Sequence, residues 1–285
     1  MVPSAPPSRN VAFVLGGGGV LGAHEVGMLR ALAERGVKPE LVLGTSVGAI
    51  NGALFAADPS LDGVERLSGL WRKMNWSDRS AGALLRRVTT LARSGTHLQS
   101  FTEMRDRLRA VLPVQRVEQL PVAFQCVAAS IERAAEHWFD RGPLPEAVLA
   151  SCAIPGILPP VRIGGEHFID GGIVNSIPVS RAVVFGARKI YVLQVGRLEQ
   201  PLEPPRRPWE VGLVAFEVAR RHRFAHDLHS LPDGVELHVL PTGGSAAPPY
   251  NDLVAQLRVG RIVRTIQRPI DSAYEASLRY LAQQS

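Results

Sequence analysis

Residues 41–57 read LVLGTSVGAINGALFAA. A short apolar run leads into Gly44-Thr45-Ser46-Val47-Gly48, and an uncharged, small-residue run continues to Ala57. The first run has the length of a strand and the second that of a helix, so the segment predicts strand, tight turn and helix. A G-x-S-x-G in that setting is the pattern of a nucleophile elbow. The turn is so sharp that only residues without a side chain fit two positions either side of the serine, here Gly44 and Gly48. It lifts the Ser46 hydroxyl above the sheet, and the following helix brings unpaired N–H groups to the same place, where they can stabilise an oxyanion. The glycines at 44, 48 and 52 also mimic a membrane helix-pairing spacing. The run is too short for a span and carries Thr45, Ser46 and Asn51, so it reads as a buried helix packed closely through its small residues.

Working upstream, Val11–Leu15 is another apolar run of strand length, followed at once by Gly16–Gly19 and then by a helical pattern to about Glu34. Gly36 ends that helix and Pro39 sets up the next strand, expected over Glu40–Leu43. A β-turn-α unit thus occurs twice in succession, which points to a parallel sheet with crossover helices. Glycine-rich backbone at a helix start is an anion cradle, suited to a phosphate or to a carbonyl oxygen becoming negative. Gly17-x-Gly19-x-x-Gly22 also fits a dinucleotide fingerprint, which needs an acid at the end of the second strand to hold ribose. That end is Gly44-Thr45-Ser46, and Glu40 lies at the wrong end of the strand. An oxyanion hole fits the positions better.

Downstream, Asp58 to about Pro113 reads as mainly helical and locally basic. Leu84, Leu85, Val88 and Leu91 sit at helical spacing, suited to packing on the sheet more than to a lid over an apolar cleft. Strands are expected at Val122–Ala128 and Glu136–Phe139, then a helix over Pro145–Ala153 stopped by Pro155. A short strand, His167–Ile169, delivers Asp170-Gly171-Gly172 into a turn. Lys189–Val195 and Val235–Leu240 read as strands, Pro201–Pro208 as a linker and Trp209–Ser230 as a helix. From Asn251 a helical stretch runs on, broken near Pro269. Its Arg258, Arg261, Arg264 and Arg268 lie opposite Leu253, Leu257 and Ile262, as a solvated face or a membrane-binding one would.

Four features stand in order: the glycine loop, the Gly-Thr-Ser-x-Gly elbow, the block Ala150-Ser151-Cys152-Ala153-Ile154-Pro155, and Asp170-Gly171-Gly172. Together they resemble the patatin-like phospholipase family over residues 11 to about 184. The resemblance implies a three-layer α/β/α sandwich with a mainly parallel central sheet. It also implies acyl-ester hydrolysis by a serine–aspartate dyad without a histidine or a cofactor. Carried onto this chain, Ser46 is the nucleophile, Asp170 the base, and the Gly17, Gly18 and Gly19 backbone, with Gly22 closing the loop, the oxyanion hole. The family usually has a basic residue where this chain has Leu21.

The chain has 285 residues, 46% of them hydrophobic and 20% charged, enough for one α/β domain. Residues 1–9 are expected to be a disordered leader, 11–184 the core and 185–285 an α/β extension. Two cysteines, Cys126 and Cys152, give neither a disulfide framework nor a metal-ligand cluster. The Pro/Ser-rich start has no apolar segment of a signal peptide, so a cytoplasmic protein is expected. The net charge of +6, its positive residues nearly all arginine, suits an anionic surface, phospholipid headgroups or nucleic acid, or no more than solubility. With the family resemblance it implies a phospholipid or simpler lipid ester as substrate and a peripheral contact with an anionic membrane. No nucleic-acid recognition motif accompanies it. Two other readings stay open: a Ser-His-Asp triad using His222, His226, His229 or His238, and a non-catalytic lipid-binding module. His24 reads as a packing residue.

Overall fold

The computed structural model describes residues 9–73, 101–155, 158–195, 201–206, 208–244 and 266–284. The chain starts with β1 (Val11–Leu15), a 3-10 turn at Gly19–Gly22 and α1 (Ala23–Glu34), then β2 (Leu41–Thr45) and α2 (Val47–Ala57). Helices α3 (Leu61–Lys73) and α4 (Phe101–Val111) precede β3 (Ala123–Ser130), β4 (Ala135–Phe139) and α5 (Leu144–Ser151). Next come β5 (Val161–Ile163), β6 (Glu166–Asp170), and the short helices α6 (Gly172–Asn175) and α7 (Val179–Val184). Then follow β7 (Lys189–Leu193), α8 (Pro208–His229), β8 (Glu236–Val239) and α9 (Gln267–Gln283).

The strands form a single sheet in the order β5-β6-β3-β2-β1-β7-β8, with β4 also on β3. The run β3-β2-β1-β7-β8 is parallel, and β4, β5 and β6 add antiparallel pairs at one side. Side chains alternate across it. Phe13 and Leu15 enter one core with α1, α2, α5 and α9, while Ala12 and Val14 enter another with α7 and Phe224 of α8. Two cores on two faces make the three layers expected. Each large apolar side chain removed from water there contributes about 1.5–3 kcal/mol.

Helix α9 buries Ile270, Ala273, Ser277 and Leu281, a stripe at helical spacing. It lies so close on α1 that a Cβ on Gly27 would sit 2.0 Å from the Ile270 carbonyl oxygen. Helix α9 begins at Gln267 with Pro269 in its first turn, where a missing N–H costs no intrahelical bond; the stretch from Asn251, expected to break near Pro269, lies, up to residue 265, outside the described residues. Strand β2 also runs on to Thr45 instead of ending at Leu43, and β5, α6 and α7 are additions to the sequence reading. Asp170-Gly171-Gly172 leads into helix α6 instead of a plain turn. Arg9, assigned to the leader by composition, is already tied by its amide to the Phe185 carbonyl at 2.8 Å. The lid face at Leu84–Leu91 and the arginines 258, 261 and 264 lie outside the described residues.

Two features of the topology position the site. Connections leave β1 toward β2 on one side and β7 lies on the other, and ligand crevices form outside the carboxyl ends of strands at such a reversal. The second is a handover along β3. Strand β2 pairs with it as far as Thr45 opposite Val127, and β4 covers the opposite edge from Cys126 to Ser130. The vacated edge is taken up by β6, with Asp170 opposite Ala128. The residue that ends β2 and the residue that ends β6 therefore occupy consecutive rungs of one strand.

Candidate active site

That handover brings Ser46 and Asp170 together across 124 residues of sequence. The Ser46 hydroxyl donates to Asp170 Oδ2 at 2.6 Å, and both residues are buried. The other carboxylate oxygen, Oδ1, accepts the Gly172 amide at 2.8 Å. Burial pushes the Asp170 carboxyl up to about 6, against the pull of the Ser46 and Gly172 hydrogen bonds. A carboxylate near 6 is a better proton acceptor than an ordinary one near 4.

Ser46 sits at φ 55°, ψ −124°, in the positive-φ region that L residues rarely occupy. Such a backbone costs on the order of 1–3 kcal/mol and persists only where its surroundings hold it. Here the end of α5 holds it. The Ser46 amide donates to Ser151 Oγ at 2.9 Å, and the Cys152 thiol donates to the Ser46 carbonyl at 3.0 Å. The same block braces the acid, because the Ala153 carbonyl accepts the Asp170 amide and the Ser151 carbonyl accepts that of Gly171. Sequence reasoning used Ala150–Pro155 only as a family mark. Its physical role is a bracket that joins the serine turn to the aspartate turn.

The glycines follow from close approach. A Cβ on Gly44 would lie 2.5 Å from the Gly48 carbonyl, and one on Gly48 would lie 2.3 Å from the Leu15 carbonyl. On Gly171 it would meet the Val127 carbonyl at 2.1 Å, and on Gly172 it would meet Phe216 Cζ at 2.8 Å. A side chain on Gly17 would face Ser46 Cβ at 3.5 Å, which places the glycine loop against the serine. Gly19 has φ +56° with open space around it, so its backbone and not its surroundings selects glycine.

The four loop glycines are not equivalent donors. The Gly17 amide is engaged by the Ser176 carbonyl at 3.0 Å, whereas those of Gly18 and Gly19 have no partner among the described residues. Gly22 faces inward, with Val47 and Trp71 where a Cβ would be, and its carbonyl accepts Asn51 Nδ2 at 3.0 Å. Asn51 also donates to Glu25 Oε2 at 2.7 Å and accepts the Trp71 indole N–H at 2.9 Å. Glu25 is fully buried, and that burial raises its carboxyl well above the usual range. This network clamps the glycine loop to the helix after Ser46. The sequence reading missed it; an Asn and a Glu in otherwise apolar helix faces were the available signal.

Among the described residues no histidine bonds to Ser46 or Asp170. His24 Nδ1 donates to the Leu21 carbonyl at 2.8 Å, and burial lowers its affinity for a proton. His238 stacks on Tyr191, and His222 and His226 line a cleft between α7 and α8. Alanine at His222, His226, His229 or His238 is expected to leave ester hydrolysis within about threefold of wild type, the range of surface substitutions of about 0.5 kcal/mol. Loss of activity at any one of them, measured as kcat/KM on a soluble ester, would restore the triad. Among the described residues no group of His, Cys, Asp and Glu is arranged to hold a metal ion.

Comparison with known proteins matches residues 13–183 to the family described as patatin-like phospholipase. An uncharacterized NTE family protein of Mycobacterium bovis is 31% identical over 173 residues, which cover 61% of this chain and 45% of that protein. Patatin-like phospholipase domain-containing protein 7 of Rattus norvegicus is 30% identical over 192 residues, 67% of this chain and 14% of that one. The chain thus spans less than half the length of these curated relatives. Among solved structures, VipD from Legionella pneumophila aligns with 97% of this chain and 67% of its own, at a TM-score of 0.48 and 14% identity.

Proposed function

We propose, given that this chain belongs to the patatin-like phospholipase family, that it hydrolyses carboxylic esters of lipids with Ser46 as nucleophile and Asp170 as general base. The observation that carries this reading is the 2.6 Å hydrogen bond from the Ser46 hydroxyl to the Asp170 carboxylate at the carboxyl end of a parallel sheet. As Oγ attacks the ester carbonyl, its proton passes to Oδ2 and the carbonyl oxygen becomes negative. The amides of Gly18 and Gly19 are the donors proposed for that oxyanion; Gly17, engaged by Ser176, shapes the loop instead of donating. Collapse expels the alcohol, which takes the proton back from Asp170. Water then repeats the sequence on the acyl-enzyme and releases the fatty acid, with no cofactor required. Each preorganised amide is typically worth about 2.7–4 kcal/mol of transition-state stabilisation.

Fluorophosphonate labelling tests the reading. Wild type is expected to label stoichiometrically at Ser46 and to lose hydrolysis of a lipid-ester panel as it does so, while Ser46→Ala neither labels nor turns over. An unlabelled, correctly folded wild type would leave a lipid-binding module as the function.

A further inference from the structure

Helix α8 buries charge and exposes apolar surface. Glu217 is 0% exposed, Arg220 5% and Asp227 5%, while Arg223 stays partly exposed. Glu217 accepts from Arg220 at 2.7 and 3.0 Å and from Arg221 at 2.8 Å, and Asp227 accepts the Arg223 guanidinium and the Ser180 amide. Phe216 and Phe224 turn inward with them, but a second set of apolar side chains faces out. Val211 and Val218 are 54% and 52% exposed, and Gly212, Ala215 and Ala219 are exposed with them. Val211, Ala215, Val218, His222, Ala225 and His229 follow each other at helical spacing as one outward stripe. A soluble helix normally keeps its outward stripe polar, and contiguous apolar surface of this kind marks an interaction site.

We propose that the outward face of α8 is the surface by which this protein docks on an anionic lipid bilayer. Three observations select that occupant. The helix abuts the site, because Phe216 reaches the Gly172 turn that holds Asp170. Two more exposed apolar residues flank the same acid: Ile173 at 40%, and Ile154 at 37%, next to the Ala153 carbonyl that receives the Asp170 amide. The stripe also carries no charge that an anionic surface would repel. Glu210, Glu217 and Asp227, the acids of α8, are 9% exposed or less, so the outward stripe carries no carboxylate and its polar members are histidines. A bilayer-lying helix needs an apolar face without acids toward an anionic surface, and here the fold supplies the partners for the polar face. Among the described residues no helix is long and apolar enough to cross a membrane, in keeping with a peripheral contact.

The choice of a lipid surface rests on the lipid-ester reading, and the test separates the two. Wild type and Val211→Asp/Val218→Asp are sedimented with vesicles of phosphatidylcholine, with and without phosphatidylglycerol, and assayed on a dispersed short-chain ester. Both positions are exposed, and circular dichroism confirms that the variant folds as wild type does. Wild type is expected to partition to the phosphatidylglycerol vesicles, and the variant about tenfold less, as the loss of two apolar anchors predicts. Short-chain hydrolysis should be equal in both. Equal partitioning, or no partitioning by wild type, overturns the proposal. A wild-type dimer that the variant dissociates, with vesicle binding unchanged, assigns the face to a second copy and also overturns it. Vesicle binding without any ester hydrolysis by wild type would sustain the docking face while refuting the proposed activity.

Discussion

Asp170→Asn is expected to lower kcat on a soluble ester by about three to four orders of magnitude, the scale seen when one member of a catalytic unit is removed. The amide keeps the shape and can still hydrogen-bond the Ser46 hydroxyl, but it cannot accept that proton. The wild-type pH profile carries the same information. Burial holds the Asp170 carboxyl at about 6, so kcat/KM should fall tenfold per pH unit below that value as the base is neutralised. Stability should move the other way. A carboxyl with a raised native pKa binds its proton more tightly when folded, so its contribution is complete below about pH 4 and is lost as pH rises through about 6. The Asn variant lacks that loss, and at pH 8 it should be at least as stable as wild type while nearly inactive. A variant that keeps a tenth or more of wild-type kcat would remove Asp170 from the chemistry. One that is inactive only because it is unfolded would show in the same denaturation curve.

Asn51→Ala is expected to cost about 2–4 kcal/mol in urea unfolding, since it deletes three buried hydrogen bonds at once. The Gly22 carbonyl, the Glu25 carboxyl and the Trp71 indole each lose a partner, and no water reaches them readily. Activity should drop further than stability accounts for. At a temperature where the variant is folded, kcat should fall while KM for a short ester changes little, because the glycine loop is no longer pinned to the helix after Ser46. Glu25→Gln, which retains an acceptor for Asn51, should be milder in both measurements. A fully active Asn51→Ala protein, whatever its stability, would confine this network to folding.

The motifs were legible because they are constraints of covalent geometry. Gly44 and Gly48 flank a residue at φ 55°, and any Cβ there strikes backbone, so a local string of letters suffices to recognise the turn. Apolar runs such as Val11–Leu15 announce strands for an equally local reason. Pro269 is read just as locally: a proline marks where a helix can start, and in the first turn of α9 it removes no intrahelical bond. The short strand β5 and helices α6 and α7 lack a long periodic signal and owe their conformation to neighbours in the sheet and the α8 layer.

By itself the sequence determined the elbow, the glycine loop, the acid turn and their order along a parallel sheet, because each is written in adjacent residues whose backbone has few choices. Only the tertiary structure decided which glycine amides are open, that Ser151 and Cys152 brace the strained serine, and that Asn51 and Glu25 clamp the loop. It also decided that α8 buries Glu217, Arg220 and Asp227 while it exposes Val211 and Val218. These are properties of pairs of residues far apart in sequence, and a pair acquires a distance and a direction only when the chain has folded.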